Sequence, residues 1–369
     1  MFSVATGYVV EILKDNPELQ ELLIQIDGQA TPERAYNYPR LYHRLLNGER
    51  VTLNTAAVKL GLGTGGRHFV IPEYSTDNTP GFSGHIMKLR YTPWQFPILA
   101  AEEEASPYHD SLVECASLEG TPVVIAPLHS MLPGVILGFH SVKKENPKIA
   151  YIMTDGAALP IALSELVREL KSKHLLDITI TSGHAFGGDL EAVSIPSALL
   201  AARQAIEPDL IIVALGPGVV GTGTAFGFSG VEQSWIIDLV SKLQGRAVVA
   251  PRVSGADLRE RHRSISHHSL TILKLANHPA LVGLSKRIPS QMADHIFEKV
   301  AANLFKEHQW YLVDDPPAEP LFAEYEMKIT TMGRSIKEDP WFFQSTVAAG
   351  VLAGLVAKGR LSSLQRISK

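Results

Sequence analysis

Residues Asp209–Gly230 read "DLIIVALGPGVVGTGTAFGFSG". The apolar run Leu210 to Leu215 passes without a break into Gly216-Pro217-Gly218-Val219-Val220-Gly221, which fits G-x-G-x-x-G. A continuous apolar run is what a parallel strand requires when helices cover both faces of its sheet. Four similar runs accompany it: "PVVIAP", "KIAYIMT", "DITITS" and "AVVAPRV". Longer segments separate them. In the one after Asp155, Leu159, Leu163, Leu166, Val167 and Leu170 mark a single helix face. The alternation predicts an α/β fold, a mostly parallel open sheet with crossover helices. "ALVGLS" and "WYLVDD" predict two more strands, with a helix across "QMADHIFEKVAANLF" between them.

Upstream the rhythm differs. "GYVVEIL", "LLIQIDG", "ERAYNY" and "ERVTLNT" are short β-prone runs separated by turn residues. They predict a small β-rich domain, a barrel or a sandwich. The turn-rich "STDNTPGFSG", Ser75–Gly84, marks the expected boundary. The domains are then residues 1–84 and 85–369, two being the expectation for a chain of 369 residues.

A net charge of −4 without long Lys/Arg runs excludes general nucleic-acid binding and leaves room for a local basic pocket. The single cysteine, Cys115, allows no internal disulfide. With no basic-then-apolar leader in the first residues, this points to the cytoplasm. "WFFQSTVAAGVLAGLVAKG", residues 341–359, carries Gln344, Ser345 and Thr346 and falls short of the ~20 apolar residues of a membrane span. A packed C-terminal helix is expected instead. Its "AGVLAGLVA" suits packing within the chain or, in a homo-oligomer, against a second copy.

Ligands of an open α/β sheet sit beyond the carboxyl ends of its strands. The residues following the five apolar runs therefore share one edge. They include His129 and Ser130, then Asp155, then "GHAFGGDLE" with His184, Asp189 and Glu191, then the opening loop, then Arg252, Ser254 and Asp257. A histidine beside carboxylates and glycines suits general acid–base work, with His184 as the acid or base, Asp189 orienting it and Asp155 a second candidate. The plain alternatives are a helix cap for Asp155, a satisfied histidine for His129, and a tight turn that pairs His184 with Asp189.

The opening loop does not suit a dinucleotide. Ser229-Gly230-Val231-Glu232 is an S-x-x-E capping box, followed by the apolar stripe Ile236, Leu239, Val240 and Leu243. This leaves Gly216–Phe228 as a loop too long for the compact dinucleotide turn, and "AVVAPR" ends in Arg252 where an acidic residue would hold a ribose. No Lys-Ser or Lys-Thr follows the glycines, so the P-loop pattern fails too. Interleaved Thr and Phe argue against a floppy linker. The remaining reading is an oxyanion or phosphate nest from Gly216, Gly218, Gly221 and Gly223, with the hydroxyls of Thr222 and Thr224.

"RVSGADLRERHRSISHHS", residues 252–269, adds Arg252 and Arg259 for charge complementarity, with Arg261 and Arg263 close by. His262, His267 and His268 suit ligand contact, proton transfer or metal coordination. Their spacing matches no established metal motif, which leaves the identity of any metal or other cofactor open. A solvated helix face is the plain alternative for "DLRERHR".

Four blocks together carry a family resemblance: "LNTAAVKLGLGTGGRHFV", "TITSGHAFGGDLEAV", "GPGVVGTGTAFGFSG" and "ADLRERHRSISHHS". The chain resembles a bacterial family, mainly Gram-positive, known as a domain of unknown function. The resemblance implies a bacterial cytoplasmic protein and brings no activity, cofactor or catalytic residue with it. The function expected from the residues themselves is an enzyme acting on a small anionic molecule, phosphorylated and nucleotide-like compounds included. The competing expectation is a non-catalytic metabolite-binding or regulatory protein.

Overall fold

The computed structural model describes residues 3–62, 65–73, 84–143, 145–302 and 308–367. Nearly all of the expected boundary Ser75–Gly84 lies outside the described residues. The chain separates into two compact units, Met1–Ile98 and Leu99–Lys369.

In the first unit the β-prone runs form the strands Val4–Asp15, Gln20–Ile26, Glu33–Asn37, Arg50–Asn54 and Arg67–Ile71. They close into a barrel in the order first, second, third, fifth, fourth, with the first and fourth paired. Third and fifth strands run parallel and every other pair is antiparallel. This is a five-stranded Greek-key barrel. Alternating side chains point inward, and Val9, Leu22, Ile24, Ala35, Val51 and Leu53 fill the interior. The buried Glu21 carboxylate is met by Arg34 at 3.2 Å and Arg67 at 3.0 Å.

The second unit is built on a nine-stranded sheet. From edge to edge the strands are Leu190–Ala192, Ile178–Ser182, Ile149–Thr154, Leu210–Leu215, Pro122–Ala126, Arg246–Val249, Leu281–Ser285, Gln309–Val313 and Gln365–Arg366. The first eight run parallel, and the last pairs antiparallel. All the apolar runs quoted above are strands of this sheet. Between Leu210 and Leu215 no residue is exposed, because helices cover both faces. Helices Leu132–Val142, Glu165–Ser172, Ala318–Glu324 and Pro340–Ala357 cover one face. Helices Ile195–Ile206, Gln233–Lys242, His267–Leu275 and Ser290–Ala302 cover the other.

Strand order determines where a ligand crevice opens. The chain leaves Thr154 toward one edge of the sheet and Leu215, on the neighbouring strand, toward the other. It diverges in the same way after Ala126 and Val249. Divergent loops open a crevice at the carboxyl ends of adjacent strands.

Local expectations fail in two places. The helix expected just after Asp155 begins only at Glu165, capped by Ser164, whose Oγ accepts the Val167 N–H. Pro160 lies in the intervening segment and restricts the residue before it to extended backbone. Ser229 is no helix cap either. Residues Ser229–Glu232 form a 3-10 turn, and Ser229 Oγ accepts the Val220 N–H at 3.2 Å.

Helix Pro340–Ala357 is long and apolar enough, by length and composition, to cross a membrane, and here Phe342 through Gly354 are all buried within the fold. It packs against Leu132–Val142 with backbones nearly in contact. A Cβ on Gly134 would strike the Thr346 hydroxyl, on Gly138 the Val347 carbonyl oxygen, and on Gly350 the Val135 carbonyl oxygen. Both helices carry glycines four apart, Gly134 with Gly138 and Gly350 with Gly354, which permits close approach. The "AGVLAGLVA" stretch thus packs within the chain. On helix propensity, Gly350→Ala would stabilise by roughly 0.5–1 kcal/mol. The clash with a backbone carbonyl outweighs this, so we expect a net loss of about 2 kcal/mol. The denaturant midpoint of the full chain measures it, and an unchanged or raised midpoint would disprove so close an approach.

Candidate functional site

The opening loop starts at the end of its strand, where Gly216 lies against the Ala158 carbonyl and Met153. It then runs out as a hairpin-like tip. Gly221 bridges Phe228, and Thr222 N–H donates to the Gly227 carbonyl at 2.8 Å. The threonine hydroxyls close this tip internally. Thr222 Oγ1 is 3.0 Å from both Thr224 Oγ1 and the Gly227 carbonyl, and Gly227 N–H donates to Thr224 Oγ1 at 3.1 Å. The loop is therefore pre-shaped. Gly218 and Gly223 take φ of 90° and 85°, where a side chain would be strained.

The tip lies against the second polar segment. Gly221 faces the His268 imidazole, and Gly223 faces the Arg261 guanidinium. Phe228 stacks on the His268 ring at 3.9 Å between centroids and 4° between planes. His262, His267 and His268 converge, with one nitrogen from each lying within 4.8 Å of the others. The antiparallel pair Val253–Ser254 with Ser264–Ile265 and the 3-10 turn Glu260–His262 fold the segment back on itself. The return passes through Ser264 at φ 57°, a conformation that costs a non-glycine residue about 1–3 kcal/mol and concentrates at functional sites.

A buried charge network holds this segment. Arg252 Nη2 donates to Asp257 Oδ2 at 2.7 Å, while Arg259 donates to both oxygens of Asp257 at 3.0 Å. Arg334 bonds Asp339, which also accepts from Ser254 Oγ at 2.6 Å. Burial opposes ionisation of Asp257, but Arg259 and Arg252 hold its carboxyl well below the usual range. Burial pushes the Arg252 guanidinium down to about 10, partly offset by Asp257. Arg252 and Arg259 thus shape the site through Asp257. No hydrogen bond or ion pair engages Arg261 among the described residues, and Arg261 is exposed. Burial, reinforced by nearby positive groups that include Arg252 and Arg259, pushes His262 and His268 down to about 3, so both rings are neutral near pH 7.

Beside the other end of the loop, Asp155 Oδ2 accepts the His184 backbone N–H at 3.0 Å. This role replaces helix capping. Gly183, at φ 64°, brings the backbone close to that carboxylate. Glu232 reaches into the same place, accepting a hydrogen bond from Thr154 and approaching Gly156. Burial pushes its carboxyl up to about 7, against the lowering bond from Thr154 and with a further push from Asp155.

Asp189 does not orient His184. The strand Leu190–Ala192 pairs in parallel with Ile178–Ser182, so the chain runs back to the start of the sheet before Asp189. There the carboxylate accepts from Thr179 N–H at 2.7 Å and pairs with Lys171. His129 is a satisfied, half-buried histidine, with ring nitrogens 3.1 Å from the Tyr151 hydroxyl and 2.6 Å from Ser164 Oγ.

Over residues 34–350 the sequence matches the family model described as "Protein of unknown function (DUF3866)". The chain belongs to that family. No curated protein and no solved structure matches it. The four sequence blocks that carried the resemblance all fall within the matched span.

Sequence patterning assigns Glu232 to a cap, and it contains no sign of the carboxyl's environment. That environment is testable. Folded Glu232 keeps its proton up to about pH 7, whereas its ordinary value is 4.5. The proton-linked contribution is therefore full below pH 4.5 and lost as pH rises through 7, by about 3 kcal/mol at 1.36 kcal/mol per unit. We expect Glu232→Gln to become more stable relative to wild type from pH 5 to 8. Parallel stability profiles of the two full-length proteins in denaturant titrations would contradict this environment.

Proposed function

We propose that the chain is a cytoplasmic bacterial enzyme acting on a small anionic molecule, phosphorylated and nucleotide-like compounds included, at the carboxyl edge of the parallel sheet. One observation carries this reading. The glycine loop and the arginine–histidine segment, some forty residues apart in sequence, form one surface through Gly221 on His268 and Gly223 on Arg261.

Anion binding follows from what that surface offers. Arg261 presents a planar fork of donors suited to carboxylate or phosphate. Main-chain N–H groups of the preformed loop add donors without needing to be ordered on binding. The imidazoles of His262 and His268 border the same surface and add polar groups to it.

Proton transfer is assigned to the other end of the loop. A carboxyl with a value near 7 serves as acid or base at neutral pH, and Glu232 fits that role better than a normal carboxylate. Asp155 raises that value and fixes the backbone of His184. His184, the acid or base expected from the sequence, becomes the second candidate. A strongly shifted group in a topological crevice is a functional-site signature.

Arg261→Ala is expected to weaken binding of phosphate or pyrophosphate about tenfold or more, since a hydrogen bond to a charged group contributes about 1.5–3 kcal/mol. Titration calorimetry on the full chain in the presence of a chelator measures this. Binding as tight in the variant as in the wild type would remove the anion from this surface.

A further inference from the structure

We propose that His262, His267 and His268 form a three-histidine site for a divalent transition metal, with an anion in the remaining coordination position. One nitrogen from each ring lies within 4.8 Å of the other two, and ring centroids are 4.3 to 4.9 Å apart. Zn–N bonds are about 2.0–2.1 Å, so a tetrahedral site needs its nitrogens about 3.4 Å apart. Modest rotations of the rings close that difference.

Two further observations point to a ligand. His267 Nε2 is buried and has no hydrogen-bond partner among the described residues. An orphaned polar atom of this kind is costly unless something outside the chain satisfies it. His262 Nδ1 is bonded to Ser266 Oγ at 2.7 Å, which orients the ring and leaves Nε2 as the ligand atom. Metal-bound histidines usually have such a partner on the second nitrogen. Imidazole ligands select zinc, copper, nickel, cobalt or iron over magnesium or calcium.

The surrounding charge decides the fourth ligand. Arg252 and Arg259 act electrostatically on all three imidazoles and Arg261 on those of His267 and His268, while Asp257 opposes this charge at His262. A bare dication is disfavoured there, whereas one carrying an anion is not. Arg261, against Gly223 of the glycine loop, is placed to pair with that anion. Three histidines plus an exchangeable fourth ligand is the pattern of an open metal site. The anion's place rests on the proposed anion-binding surface, while the metal's does not.

The test uses the full chain, stripped with a chelator and titrated with Co2+ and Zn2+. We expect one Co2+ per chain, with the intense visible bands of four-coordinate Co2+, displaced stoichiometrically by Zn2+. Exchangeable imidazole protons of the Co2+-loaded wild type should show hyperfine-shifted proton NMR signals, a readout that needs no variant. His262→Ala, His267→Ala and His268→Ala, each checked for folding by circular dichroism, should weaken Co2+ binding by more than the ~10–100-fold typical of losing an outer-shell partner. Inorganic phosphate should change the Co2+ spectrum of the wild type and leave that of Arg261→Ala unchanged. Absence of stoichiometric Co2+ binding, absence of shifted imidazole signals, or unaltered affinity in folded histidine variants would each overturn the metal site. Co2+ binding with no response to phosphate would overturn the anion's place on the metal. Phosphate binding measured in chelator reports on the anion surface alone, so failure of one proposal is distinguishable from failure of the other.

Discussion

The near-contact of helices Leu132–Val142 and Pro340–Ala357 is the constraint on which the larger unit depends. Glycines on both helices let one backbone lie against the other, and a side chain at Gly134, Gly138 or Gly350 would displace a main-chain or side-chain oxygen. The second helix has no polar stripe because it is enclosed on all sides. Its polar residues instead tie distant loops together. Ser345 donates to the Pro251 carbonyl at 3.2 Å, and Gln344 binds Asp315 and the Pro316 carbonyl. Asp339, just before the helix, accepts from Ser254 and Gly255. A helix placed by glycine contacts thus fixes the loops beyond two strands of the sheet, Arg246–Val249 and Gln309–Val313.

That placement explains the charge network around Asp257. A buried ion pair adds little net stability, because desolvation offsets its attraction, yet removing one member is strongly destabilising. Such a network acts mainly as a shape constraint. Asp257 gathers Arg252 and Arg259, and Asp339 gathers Arg334 and Ser254, so the segment from Arg252 to His268 has one way to fold back. The histidines converge as a consequence, and the positive φ of Ser264 shows that the return is strained.

The two ends of the glycine loop have different electrostatic character. At one end Asp155 and Glu232 share a crevice, and Glu232 holds its proton up to near neutrality. At the other, neutral imidazoles stand beside an arginine with no hydrogen-bond or ion-pair partner among the described residues. This division follows from strand order, since divergent connections after Thr154 and Leu215 open the crevice that the loop spans.

Much of the architecture was legible in the chain itself. Continuous apolar runs such as Leu210–Leu215 specify buried parallel strands by chemistry alone, because only a sheet covered on both faces hides every side chain. The β-prone upstream runs likewise specify a small β-rich domain, and the strand pairing closes it into a barrel instead of a sandwich. Local signals were weaker guides. The S-x-x-E at Ser229 has the letters of a helix cap, but Glu232 is drawn to Thr154 across the crevice, a contact that sequence spacing does not encode. "GHAFGGD" places His184 and Asp189 five residues apart, but the parallel return to Leu190 carries them to different levels of the sheet. His267 and His268 are consecutive, and consecutive helical residues point about 100° apart, so no period announces that they meet His262. Apolar burial is a property of each run and can be read from it. Convergence of polar side chains depends on crossover direction and backbone reversal, which only the tertiary structure decides.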